Sequence, residues 1–391
     1  MQFALLMENR KKQRLALSTY FFISGFFFAT WASRIPSLKT FFDLNEAELG
    51  NLLITMPVSS MIGLPISGWL VSRFESRLPL LASFVLLALG LLGIGFTENM
   101  LSLVISISVF AFAMRIFNIS INTQSLSLQK KFKRKIIGSF HGLWSTGGVA
   151  GVAVSTLMIK LEIPMFYHIL IIVIAGVIAA TASFAFLLKK DRSSAGNKLR
   201  LGKPDKFILY LGLLVFFAAL CEGGMFDWSG VYFREVVNED IFTLGYLIFM
   251  IFMALSRFYS DKIMERLGMQ KTYMYSSFFI ISGILLMTIL PNFWAALVGF
   301  CLVGLGVAAV VPMTFLLAGS SEKYSPGMAI SIVTTYAIAG MLLGPPLVGY
   351  IAHLFNLRIS FGLFLVAGLM LIPVSRRVFR FRESQLASEE T

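Results

Sequence analysis

FILYLGLLVFFAALCEGGMFDW, residues 207–228, runs fifteen residues without a charge and then places two carboxylates, Glu222 and Asp227. A helix rises ~1.5 Å per residue, so about 20 apolar residues cross the ~30 Å hydrocarbon layer of a bilayer. A charge near mid-bilayer costs at least ~2.5–3.5 kcal/mol on insertion scales, and a chain keeps one there only where it is paired or meets water. Gly223 and Gly224 leave space beside the first acid. The stretch reads as a membrane helix whose acids face a wet cavity rather than lipid.

Runs of the same kind recur along the whole 391-residue chain, which is 57% hydrophobic and 14% charged, with a mean hydropathy of +0.81. A soluble chain of this length needs far more polar surface to cover itself. The pattern predicts helices over 15–37, 47–72, 78–97, 101–126, 136–160 and 165–188, then over 207–235, 241–261, 272–291, 293–318, 327–352 and 358–375. Only KKDRSSAGNKLRLGKPDK, 189–206, is long and polar enough to be a linker. The expected fold is an all-α polytopic membrane protein with twelve transmembrane helices. An amino-terminal six-helix bundle takes 1–188, a cytoplasmic linker 189–206, a carboxy-terminal six-helix bundle 207–376 and a cytoplasmic tail 377–391.

The formal charge of +13 belongs to topology, not to a nucleic-acid partner. Basic residues gather at the amino end (Arg10, Lys11, Lys12, Arg14), in KKFKRK (130–135), in the linker and in the tail (Arg376, Arg377, Arg380, Arg382). If the helices simply alternate, all four clusters share one side. The other side carries acids: Asp43, Glu46, Glu48, Glu98, Glu235, Glu239 and Asp240. This is the positive-inside pattern, and it predicts a multi-pass protein of the bacterial inner membrane with both termini cytoplasmic. Cys221 and Cys301 both lie inside predicted helices and read as small packing residues, not as a disulfide.

The two halves look alike. GWLVSRFESR (68–77) follows the second helix, and SRFYSDKIMERLG (256–268) follows at the same place in the second half. HGLWSTGGVAG (141–151) in the fifth helix is matched by TTYAIAGMLLGPPLVGY (334–350) in the eleventh, where Gly340 and Gly344 are spaced for close helix contact. Internal repeats of this kind are common in transporters. On these residues the chain resembles the major facilitator superfamily over essentially its full length. The resemblance implies two six-helix bundles around a central cavity, alternating access, a small-molecule substrate and a monomer. It also makes Arg73, Arg77, Arg257 and Asp261 the gating residues of the loops after helices two and eight, although Ser72 stands where the motif usually has an acid. A narrower resemblance, to a bacterial inner-membrane branch loosely similar to sugar-proton symporters, rests on ATWASRIP (29–36), HGLWSTGG (141–148), CEGGMFDW (221–228) and GPPLVGY (344–350). In that branch an acid is common where this chain has Asn118, and a small residue where it has Arg115.

Depth along the helices puts Arg115 and Glu222 near mid-membrane, and Arg34 and Asp227 nearer the outer face. The resemblance places helices one, four and seven on the cavity, so two pairs are expected: Arg115 with Glu222, and Arg34 with Asp227. Arg115, Asn118 and Asn122 follow an i, i+3, i+7 spacing that makes one polar stripe. Trp31 and Trp228 serve either as interfacial belt residues or as aromatic walls for a ligand. The stripe and the arginines serve either as solute contacts or as ties between helices. An anionic solute that displaced Glu222 from Arg115 would let Glu222 take up a proton, which couples solute to protons. No phosphate-binding loop, metal-ligand spacing or nucleophile elbow appears, so the chain reads as neither an enzyme nor an ATP-driven pump, with no cofactor and no metal. The expected function is a secondary transporter of a small polar solute, read first as anionic or zwitterionic and second as neutral and sugar-like. A multidrug efflux antiporter and a non-transporting membrane sensor on the same scaffold are the competing readings.

Overall fold

The computed structural model describes residues 2–132, 136–189, 205–324 and 326–389, and these fold into helices and the turns between them. Most of the expected linker lies outside the described residues. In the first half come α1 (Gln2–Phe41), α2 (Glu46–Leu53), α3 (Thr55–Arg73), α4 (Arg77–Phe96), α5 (Met100–Gln129), α6 (Ile137–Lys160) and α7 (Met165–Phe184). The second half holds α8 (Lys206–Glu235), α9 (Leu244–Leu267), α10 (Met269–Ile289), α11 (Phe293–Val307), α12 (Val310–Gly319), α13 (Pro326–Leu354), α14 (Leu357–Ser360) and α15 (Gly362–Glu389). Among the described residues eleven helical stretches are long and apolar enough to cross a membrane, and the apolar run Leu244–Ser260 is a shorter twelfth. The twelve-helix reading holds.

Two of the expected helices are broken. The second divides at Ile54 into α2 and α3, and the tenth divides at Ala308 and Ala309 into α11 and α12. Both breaks precede a proline by a helical turn. Pro57 has no N–H for the carbonyl of Leu53, and Pro312 has none for that of Ala308. α2 starts on a capping box in which Asn45 Oδ1 accepts from the Glu48 amide and Glu48 Oε2 accepts from the Asn45 amide, both at 2.9 Å. At the carboxy end α15 runs on through the stretch expected as the tail, as far as Glu389.

The chain divides into two compact units. One holds the residues up to Phe42 and those from Thr55 to the central linker, and the other holds Asp43–Ile54 and the chain beyond the linker. The boundary thus differs from the one read off the linker alone, because α2 packs with the second unit. There Gly50 and Gly349 of α13 come so close that a Cβ on Gly349 would stand 3.0 Å from the Gly50 Cα, and Tyr350 Oη donates to Asn51 Oδ1 at 2.7 Å.

The internal repeat is visible in the packing of each unit. In the first, α1 lies against α6: a Cβ on Gly147 would fall on the Phe22 carbonyl, and one on Gly151 would stand 2.7 Å from the Phe26 carbonyl oxygen. In the second, α8 lies against α13, where Gly340 meets the Phe216 carbonyl in the same manner. Glycine at these sites lets backbones touch, which is how helices gain packing energy in lipid. Cys221 is buried, Cys301 is half-buried, and both are free thiols.

Candidate functional site

The first unit places two arginines well inside its membrane helices. Arg34, on α1, is only 5% exposed. Its Nε donates to His168 Nδ1 at 3.0 Å and its second terminal nitrogen donates to the Ile163 carbonyl at 3.1 Å, so it ties α1 to the first turn of α7 and the preceding loop. Because His168 Nδ1 accepts, the ring proton of the neutral imidazole sits on Nε2, which is buried without a partner among the described residues. Trp31, one turn before Arg34, is buried at 1% exposure, and its indole nitrogen likewise lacks a partner.

Arg115, on α5, is half-buried. Its Nε donates to Ser60 Oγ of α3 at 3.0 Å, and no carboxylate meets its guanidinium among the described residues. One turn along α3, Gly63 lies flush against the stem of the same side chain, where a Cβ would stand 3.2 Å from Arg115 Cβ. Asn118 Oδ1 accepts from Ser24 of α1 at 2.9 Å, and Asn122 turns its amide back to the Asn118 carbonyl at 2.8 Å. The polar stripe is thus present, and two serines that the sequence did not single out, Ser24 and Ser60, hold it.

In the second unit Glu222, on α8, is 8% exposed and accepts from the terminal nitrogen of Arg257 on α9 at 2.9 Å. This corrects the expected pairing. The cation facing Glu222 belongs to the neighbouring helix of its own unit, and the two arginines expected opposite the acids have partners inside theirs. The motif that carries Arg257 reads as a loop signature, yet the residue lies about three turns inside α9, and its long side chain reaches the acid. Asp227 is half-buried, with no hydrogen bond or ion pair among the described residues. Tyr246 of α9 is buried, and its hydroxyl has no hydrogen-bond partner among the described residues. Trp228 is fully buried, and its indole nitrogen has no partner among the described residues. The space expected beside the acids is partly filled, since a Cβ on Gly224 would overlap the Phe364 ring of α15.

Of the expected gating residues, Arg73 stacks over Trp69 at 5.4 Å. Arg77 donates to the Phe184 carbonyl at 3.1 Å and lies 4.1 Å over that residue's ring, capping the end of α7. The side chain of Asp261 lies outside the described residues.

Comparison with known proteins fits this architecture. The sequence profile of the Major Facilitator Superfamily matches residues 16–321. An uncharacterized MFS-type transporter of Yersinia pestis is 30% identical over 370 residues, covering 94% of this chain and 96% of that protein. Membrane protein MosC of Rhizobium meliloti is 28% identical over 385 residues, with 96% and 93% covered. The solved structure of a point mutant of the nucleoside transporter NupG superposes with a TM-score of 0.73 at 12% identity, covering 94% of this chain and all of that one, which speaks for the fold alone.

Proposed function

The chain belongs to the major facilitator superfamily, and we propose that it is a secondary active transporter for a small anionic solute, working by alternating access as a monomer in the bacterial inner membrane with both termini cytoplasmic. The observation that carries the choice of solute is Arg115. A guanidinium inside a membrane helix is costly without a counter-charge, and here its hydrogen bond goes to a neutral serine. Its planar fork of donors suits an oxyanion. Asn118 and Asn122, on the same face of α5, supply further polar contacts.

Proton coupling is part of the proposal. Glu222 has its charge met by Arg257. Asp227, which no cation meets among the described residues, is the carboxylate left to exchange a proton.

Proteoliposomes test the function directly. Uptake of a small anion should follow an imposed proton gradient, and Arg115→Gln at normal folded yield should abolish it. Arg115→Lys keeps the charge but loses the fork and should fall about tenfold or more. Asp227→Asn should still bind solute yet no longer accumulate it against a gradient. Normal uptake by Arg115→Gln, or no accumulation under any proton, sodium or counter-substrate gradient, overturns the reading.

A further inference from the structure

Arg115 is held at two points by one face of α3. Ser60 Oγ accepts from its Nε at 3.0 Å. Gly63, three residues on and hence on the same face, packs so closely that a Cβ there would stand 3.2 Å from both Arg115 Cβ and the Phe112 carbonyl oxygen. A guanidinium offers an oxyanion two paired edges. One is formed by Nε–H with the neighbouring terminal N–H, and the other by the two terminal nitrogens end-on. The bond to Ser60 consumes the first edge. The terminal nitrogens donate no hydrogen bond to the described residues and are not among the buried unpartnered atoms, so the end-on edge stays open.

We propose that Ser60 is the positioning residue of this transporter: it aims the Arg115 guanidinium so that the end-on edge alone takes the solute, and that solute is a monocarboxylate. A carboxylate places two oxygens in the plane of the fork and brings one negative charge to one positive charge. A phosphate dianion would leave a second charge uncompensated in the membrane interior, where that is costly. Ser60 acts through Arg115 and touches no solute. The role differs from a plain tie between α3 and α5, which would serve stability and leave selectivity alone. The proposal rests on the reading of Arg115 as the anion site.

The test uses purified full-length protein and a fixed set of probes: acetate, lactate and benzoate as monocarboxylates, inorganic phosphate and sulfate as tetrahedral oxyanions, and glycerol as a neutral control. Binding is read by ligand-induced thermal shift and titration calorimetry, and transport by uptake kinetics in proteoliposomes. Wild type should bind at least one monocarboxylate in preference to phosphate. Ser60→Ala should weaken that binding about tenfold, the scale of one lost charge-assisted hydrogen bond, and should narrow the preference over phosphate. Its KM should rise with little change in kcat. Ser60→Thr, which keeps the hydroxyl, should stay within about twofold of wild type.

Ser60→Ala that binds with wild-type affinity and preference overturns the inference while Arg115→Gln still loses binding. Phosphate or sulfate preferred by wild type overturns the carboxylate assignment. If no oxyanion binds wild type, or Arg115→Gln binds as well as wild type, the anion reading itself has failed, and this inference falls with it.

Discussion

Arg34 and Arg115 show how differently two membrane-helix cations of one unit, the first buried and the second half-buried, can be used. Arg34 spends its Nε and one terminal nitrogen on His168 and Ile163 and is nearly inaccessible, whereas Arg115 keeps its end-on edge open. His168→Ala should therefore leave a buried Nε–H unpaired and lower stability by ~1–3 kcal/mol, read as a drop in the midpoint of thermal unfolding in detergent. His168→Asn, whose amide oxygen can accept the same hydrogen, should recover part of that loss, and neither change should alter solute affinity. A fall in affinity with unchanged stability would instead make this pair part of the solute site. The arginines were legible in the sequence because a charge in an apolar run stands out. Their partners were not, because Ser24, Ser60 and His168 are residues a membrane helix carries for many reasons. Matching lone polar groups by depth within each six-helix half, rather than between halves, is the rule that would have paired Arg34 with His168 and Glu222 with Arg257.

Among the elements, proline and glycine decide most of what composition leaves open. Hydrophobic length found the spans, but it merged α2 with α3 and α11 with α12, since an apolar run gives no sign of a missing backbone bond. Pro57 and Pro312 were the visible signals, although α1, α3, α13 and α15 run through prolines of their own without ending. Whether the helix stops depends on packing that the sequence does not display. Glycine was more legible: the spacing in TTYAIAGMLLGPP signalled a close helix contact, and the structure supplies the partners, α8 for α13 and α1 for the matching HGLWSTGGVAG of α6. Gly147→Ala should accordingly cost ~1–3 kcal/mol, because the new methyl meets the Phe22 carbonyl backbone, which cannot move aside. Gly68→Ala is the matched control. Nothing lies within 4 Å of its Cβ position in α3, so the change should be neutral or stabilise by up to ~1 kcal/mol through helix propensity. Thermal unfolding of the two variants side by side checks the contrast, and equal effects would show that the crossing is looser than described.

At the scale of the whole molecule the basic excess has a location. In the first unit Arg14 of α1 donates to Ser139 of α6 at 3.2 Å, and Lys131, just past α5, donates to Gln13 at 3.3 Å, so the basic ends of these helices lie together. The Lys131 ammonium is held below its usual pKa, first by burial and then by the charge of Arg10, which marks the crowding of cations there. In the second unit Asp205 at the start of α8, Lys323 and Arg382 of α15 line one cavity of about 340 Å³, so the start of α8 and the basic end of α15 also share an end. The loop between α4 and α5, with Glu98, lies at the opposite end of α5 from Lys131. Positive-inside bias acts on short loops such as these, because Lys and Arg near a span resist translocation while acids contribute little. The expected outcome is that Lys131→Cys reacts with a membrane-impermeant thiol reagent only after cells are opened, while Glu98→Cys reacts in intact cells. Wild type supplies the background, since Cys221 is buried and Cys301 lies half-buried within α11. Labelling of Lys131→Cys in intact cells, with Glu98→Cys protected, would invert the molecule in the membrane and put the tail bearing Arg376, Arg377, Arg380 and Arg382 outside.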